Sequence, residues 1–213
     1  MAIRDNREYR NIPMFEVRAA EEGEEKSYIV EGYASTFEPY VLWEYEGIKY
    51  YEQIDPRAFD ECDMSDVIFC KDHEGTVFAR TKNKTIDLSV DEHGLKTKVD
   101  LSKTTAARGM YEEIDAEMYT QMSFAFTVEE DSYNTETHTR TILKIKKLYD
   151  VSAVSFPANP GTDISVATRT RLDGFIEEER AERLAEEERK KEAIAKFNFE
   201  KEKSYGIKRN DIK

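Results

Sequence analysis

Short β-rich segments separated by turn residues fill the first half of the chain, and this pattern limits the fold more than any other feature. Four of them follow one another closely, at residues 67–70, 77–81, 85–90 and 95–101. His93 and Gly94 supply a turn between the last two. A meander of this kind tends to close into a barrel. The sequence therefore predicts an α+β protein built on a mostly antiparallel, closed β-barrel with flanking helices.

Helix signals are fewer than strand signals. Asp55 and Pro56 are typical of a helix start, so residues 57–61 are predicted to form a short helix. Thr104 or Thr105 can cap a longer helix. Its buried stripe, at spacings of three and four, consists of Ala107, Met110, Tyr111, Ile114 and Met118.

The composition changes abruptly beyond Thr168. Of the 43 residues from Arg171 to Lys213, 24 are charged, 12 acidic and 12 basic. Glu and Lys four positions apart favour a solvated helix. We therefore expect a flexible N-terminal arm over residues 1–13, a folded domain over 14–168 and a charged helical tail over 169–213.

The charge balance and the cysteines exclude several classes of protein. Because the tail is neutral, the body carries the whole net charge of -13 and should be repelled by nucleic acid. No run approaches the roughly 20 apolar residues of a membrane span, and none indicates a signal peptide. Cys62 and Cys70 lack the spacing of a metal site, so we expect reduced thiols in a cytoplasm and neither metal nor cofactor.

His73 follows an apolar strand and precedes Gly75. A residue that leaves a strand into a turn is held by the sheet yet open to substrate, as a general base requires. An ordinary turn histidine at the surface is the alternative interpretation.

Ser123 lies in a segment where Met122, Phe124 and Phe126 alternate with small residues. The small face should let a substrate approach the hydroxyl while the apolar face anchors the strand, which favours a rigid nucleophile. A serine on a polar strand face is the alternative.

Asp150 is a carboxylate within an apolar, β-rich segment, where it would be costly to bury unpaired. Paired with His73, it would hold the imidazole tautomer that a serine nucleophile needs. An ion pair with Lys144, Lys146 or Lys147 would satisfy it equally well.

Four segments together resemble one family. They are VEGYASTF, FCKDHEGTVFART around His73, QMSFAF around Ser123 and LYDVSAVSFPANPGT around Asp150. In this order and spacing, over residues 14–167, they resemble the caudoviral prohead proteases, whose fold is similar to that of the herpesvirus assemblins.

The resemblance implies a serine endopeptidase inside the immature capsid, in the host cytoplasm, that degrades the scaffold part of the major capsid protein and often itself. Self-association is a further possible contact. By position, the family histidine and serine fall on His73 and Ser123. The acidic residue, commonly glutamate, falls on Asp150, and the second histidine of assemblins leaves His138 or His93 as other candidates for the third member.

Two other classes of protein remain open on the residues alone. One is a non-catalytic capsid scaffolding protein that keeps the protease fold, because the charged tail is typical of scaffolds. The other is a β-barrel that binds a ligand, in which Ser123 and His73 would lie too far apart for a hydrogen bond.

Overall fold

The computed structural model describes residues 6–12, 15–17, 27–155 and 166–210. The chain divides into two units, Met1–Arg169 and Thr170–Lys213. The strands are β1 (Glu8–Ile12), β2 (Phe15–Val17), β3 (Ile29–Thr36), β4 (Tyr40–Tyr45), β5 (Ile48–Ile54), β6 (Ile68–Lys71), β7 (Glu74–Arg80), β8 (Ile86–Val90), β9 (Gly94–Asp100), β10 (Gln121–Asn134) and β11 (Thr139–Val154). The helices are a 3-10 turn at Thr81–Asn83, α1 (Thr105–Asp115) and α2 (Val166–Asn210).

The strands form two separate sheets. One has seven strands and runs β1-β10-β11-β5-β4, with β6 joined to β11 and β7 joined to β6. The other runs β2-β3-β9-β8. A single cluster of buried apolar residues draws on both sheets and on α1, so the sheets share one core.

The predicted closed barrel is wrong, although the α+β class is correct. Among the described residues neither sheet closes on itself, and the larger sheet is mixed rather than antiparallel. The reason lies in β11, which is 16 residues long. One end of β11 pairs in parallel with β5 and the other end in parallel with β6, so the sheet branches instead of closing.

The predicted cap of α1 is confirmed, and the predicted helix over 57–61 is wrong. Thr104 caps α1, its hydroxyl oxygen accepting from the backbone N–H of Ala107 at 3.0 Å. The pairing of β10 with β11 skips Lys146, which forms a bulge in β11. The helix predicted over 57–61 is a series of turns, although Asp55 still accepts a hydrogen bond from the N–H of Arg57 at 2.9 Å.

Residues 8–12, part of the predicted flexible arm, form strand β1 along the edge of β10. A network of buried charged side chains, on one face of the sheet, holds this strand in place. Arg10 donates to Glu8 at 2.6 Å and to Glu52 at 2.5 and 2.7 Å, and Arg140 donates to Glu8, Glu52 and Asp131. Burial alone would raise the pKa of Glu8, but the charge of Arg10 and hydrogen bonds from Arg140 lower it to about 2.

Candidate active site

His73 sits at the tip of the β6–β7 hairpin. Lys71 and Glu74 are paired across this hairpin, so Asp72 and His73 alone form the loop. Both have positive φ, 48° and 60°, which is the pattern of a type I′ turn. Asp72 fixes the turn to the end of β11, because its N–H donates to the carbonyl of Ala153 and its carboxylate accepts from the N–H of Ser155. The hairpin is thereby tied to the strand that carries Asp150.

Strand pairing brings the other two predicted residues to the same face. Ser123 of β10 lies opposite Ser152 of β11, and Ala125 lies opposite Asp150. Residues directly opposite each other share a face of the sheet, and residues two apart on one strand do so as well. Ser123 and Asp150 therefore project from one face, on neighbouring strands.

The three side chains form one hydrogen-bonded chain. His73 Nε2 is 2.7 Å from Ser123 Oγ, and His73 Nδ1 is 2.6 Å from Asp150 Oδ1. Since a carboxylate only accepts, Nδ1 carries the proton and Nε2 of the neutral ring accepts from the serine hydroxyl. In this tautomer the imidazole can remove the serine proton.

All three groups are shielded from water. Ser123 is 0% exposed, and the side chains of Asp150 and His73 are 6% and 14% exposed. Electrostatic interactions are stronger where water is excluded, so the hydrogen bond between Asp150 and His73 gains strength from this setting. The burial of Ser123 also differs from the accessible face that its small neighbours predict.

A second layer supports Asp150. The hydroxyl of Ser152 donates to Asp150 Oδ1 at 2.7 Å, the same oxygen that His73 contacts. Cys70 Sγ lies 3.1 Å from Ser152 Oγ, and since the Ser152 proton points at the carboxylate, the thiol is the donor. Ser152 was not among the residues predicted from the sequence. Its position two residues after Asp150 on a strand was the available signal, because it predicts a shared face.

Tyr9 was also missed. Its ring meets the ring of His73 edge to face, with centroids 4.6 Å apart and planes at 71°. His73 also borders an open groove of about 420 Å³, whose lining consists of Ile68, Cys70, His73, Glu74 and Gly75. The imidazole thus contacts an aromatic ring from β1 and borders a groove along β6 and β7.

The other candidates for the third member lie elsewhere. His93 is near Glu92 and the ring of Tyr33, and His138 contacts Tyr133 and the ring of Tyr50. Of the three lysines predicted as alternative partners of Asp150, Lys144 pairs with Glu61 and Lys147 pairs with Asp63.

Neither cysteine is in a disulfide. Within the described part of the chain, no group of three or more His, Cys, Asp or Glu side chains could hold a metal ion. In the same residues, no helix combines the length and the apolar character needed to cross a membrane.

Comparison with known families agrees with the geometry. The model of the caudovirus prohead serine protease family matches residues 14–174, which include all three members of the hydrogen-bonded chain. The chain belongs to this family. Searches of curated proteins and of solved structures give no match. As a prohead protease, the protein is a serine protease of bacteriophage capsid maturation, and membership implies interaction with phage capsid proteins within the procapsid.

Proposed function

We propose that the protein is an endopeptidase that cleaves the scaffold part of the major capsid protein, and also itself, through an acyl-enzyme on Ser123. It would act inside the immature capsid, in the host cytoplasm. The observation that carries the proposal is the continuous chain from Asp150 through His73 to Ser123, at 2.6 and 2.7 Å. The family match supports the same reaction class.

In the first half of the reaction, Ser123 Oγ attacks the carbonyl carbon of the scissile peptide while its proton passes to His73 Nε2. Asp150 keeps its hydrogen bond to Nδ1 and stabilises the imidazolium that forms. His73 then gives this proton to the leaving amine nitrogen, the C–N bond breaks, and the acyl group remains on Ser123 as an ester.

Water completes the reaction. His73 removes a proton from the attacking water, whose oxygen bonds to the ester carbon. The proton returns to Ser123 Oγ as the ester bond breaks, and the acyl part leaves as a new C-terminal carboxylic acid. The enzyme is restored, and the net change is the addition of one water to one peptide bond.

The test compares Ser123→Ala with Ser132→Ala, a serine that is exposed on the same strand. Each variant is co-expressed with the major capsid protein, and intact-mass spectrometry follows cleavage of both partners. We expect the parental chain and Ser132→Ala to cleave, and Ser123→Ala to be inactive.

A fluorophosphonate probe gives a second readout, because it modifies an activated serine. Its mass should appear on Ser123 in the parental chain. Cleavage by Ser123→Ala at the parental rate would refute the proposal. Absence of both cleavage and labelling in the parental chain would favour the non-catalytic scaffolding protein.

A further inference from the structure

The nucleophile strand β10 has two edges, and they differ. Along one edge runs β11, which carries Asp150 and is part of the site. Along the other runs β1, antiparallel, with Asn11 directly opposite Ser123 and Tyr9 opposite Ala125. β1 is five residues long and ends the strand order of its sheet. On this side, the neighbour of the strand that carries Ser123 is therefore a short strand at the edge of the sheet.

β1 occupies the outer edge of β10 next to Ser123. Ser123 is completely buried, and the ring of Tyr9 packs on the base that activates it. For attack, a peptide carbonyl carbon must come within about 3–3.5 Å of the serine oxygen. A polypeptide cannot approach that closely from the outer edge of β10 while β1 is paired there.

The other edge strand near the site is β7, and a substrate paired with it would be too far from Ser123 to present its scissile bond. β7 lies beyond β11 and β6, so a substrate strand paired with β7 would lie four strand spacings from β10. At about 4.8 Å per spacing, this is about 19 Å within the sheet. A strand paired directly with β10 is one spacing away, and its carbonyls are within reach of Ser123.

We propose that the outer edge of β10, from Met122 to Phe126, binds the extended backbone of the substrate polypeptide, and that β1 is an intramolecular occupant of this edge that the substrate displaces. This inference rests on the proposed function. The partner is any unfolded protein segment that can add a strand to a sheet edge, because the backbone N–H and C=O groups of β10 do not distinguish sequences. The structure is accordingly the closed, self-inhibited form.

A reversible cross-link tests the displacement in the full chain. Tyr9→Cys and Ala125→Cys together place two thiols at directly opposite positions of β1 and β10. The substrate is β-casein, an unfolded polypeptide, and the parental chain under the same oxidant controls for Cys62 and Cys70. We expect the oxidised double variant to cleave casein more than about tenfold slower than its own reduced form, with recovery on reduction. Equal rates in the two forms would overturn the proposal.

A second measurement needs no hydrolysis and so separates this inference from the proposed function. In the full chain carrying Ser123→Ala, amide hydrogen exchange of residues 8–12 is followed with and without saturating β-casein. We expect β1 to exchange more than about tenfold faster with casein, while β11 stays protected. Unchanged or stronger protection of β1 would overturn the displacement. Release of β1 in Ser123→Ala, combined with a parental chain that does not cleave casein, would contradict only the proposed function.

Discussion

Replacing Asp150 by Asn tests how much of the site's activity depends on the carboxylate. The substitution keeps the shape of the side chain but removes the charge that faces the imidazolium across 2.6 Å. With roughly 4 Å between the centres of charge and an effective dielectric constant of roughly 20, the lost attraction is about 4 kcal/mol. This corresponds to a loss of roughly a thousandfold in the rate of attack by Ser123.

The assay is the second-order rate of fluorophosphonate labelling at Ser123, measured on folded protein at pH 7.5. Asp66→Asn is the control, because Asp66 accepts two hydrogen bonds from Arg80 on the same hairpin without contacting His73. We expect the control to remain within about threefold of the parental rate, since partly exposed ion pairs contribute little. A loss of less than about tenfold in Asp150→Asn would refute the role of its charge.

Two further predictions concern the surroundings of the site. Ser152→Ala removes the hydrogen bond that Ser152 donates to the Asp150 carboxylate, which is worth about 1.5–3 kcal/mol. Fluorophosphonate labelling should therefore slow by roughly 10- to 100-fold, with partial rescue by Ser152→Thr. An unchanged rate would contradict the role of Ser152 in positioning Asp150. The second prediction concerns Glu8, whose pKa falls from 4.5 to about 2 on folding. The ionised Glu8 carboxylate makes its full contribution to the free energy of unfolding above pH 4.5, and this contribution is lost as the pH falls through 2. Urea unfolding should show about 3 kcal/mol of this acid sensitivity, and Glu8→Gln should remove it; an equally acid-sensitive Glu8→Gln would contradict the assignment.

The three residues of the candidate site could be selected from the sequence because each has a local signature. Ser123 sits in a strand of strict alternation, His73 follows an apolar strand into a turn, and Asp150 is a carboxylate among apolar residues. Such patterns depend only on a residue's immediate neighbours. The distances between the three side chains depend on how the strands pair, and local patterns do not predict that pairing. The family resemblance indicated only which positions correspond to the family's histidine, serine and acidic residue.

The barrel prediction failed at the level of pairing partners. Alternation predicts that β11 is a strand, but it does not reveal that Thr139–Ile142 pair in parallel with β5 and Asp150–Ala153 in parallel with β6. Parallel pairing joins segments that are distant in the chain, so no short turn between them predicts the pairing. A meander rule based on consecutive strands therefore predicts closure where the structure branches.

β1 was missed for a different reason. Glu8 and Arg10 are charged, and charged residues are ordinarily exposed, so the segment has the composition of a solvated arm. They are buried because Glu52 and Arg140, more than 40 and 130 positions away, supply the opposite charges. Ion pairs between residues so far apart in the chain cannot be predicted from the neighbouring residues.

The charged face of β1 also explains why its other face meets the site in one register. Side chains alternate along a strand, so a slip of one residue would turn Glu8 and Arg10 toward His73 and bury Tyr9 in their place. Such a slip would separate Arg10 from Glu52 and Glu8 from Arg140, and breaking buried ion pairs of this kind costs several kcal/mol even though Arg140 and Glu52 would still contact each other. An apolar strand of equal length would have no such penalty, because apolar contacts are not directional. The charges thus hold Tyr9 on His73 and Asn11 opposite Ser123.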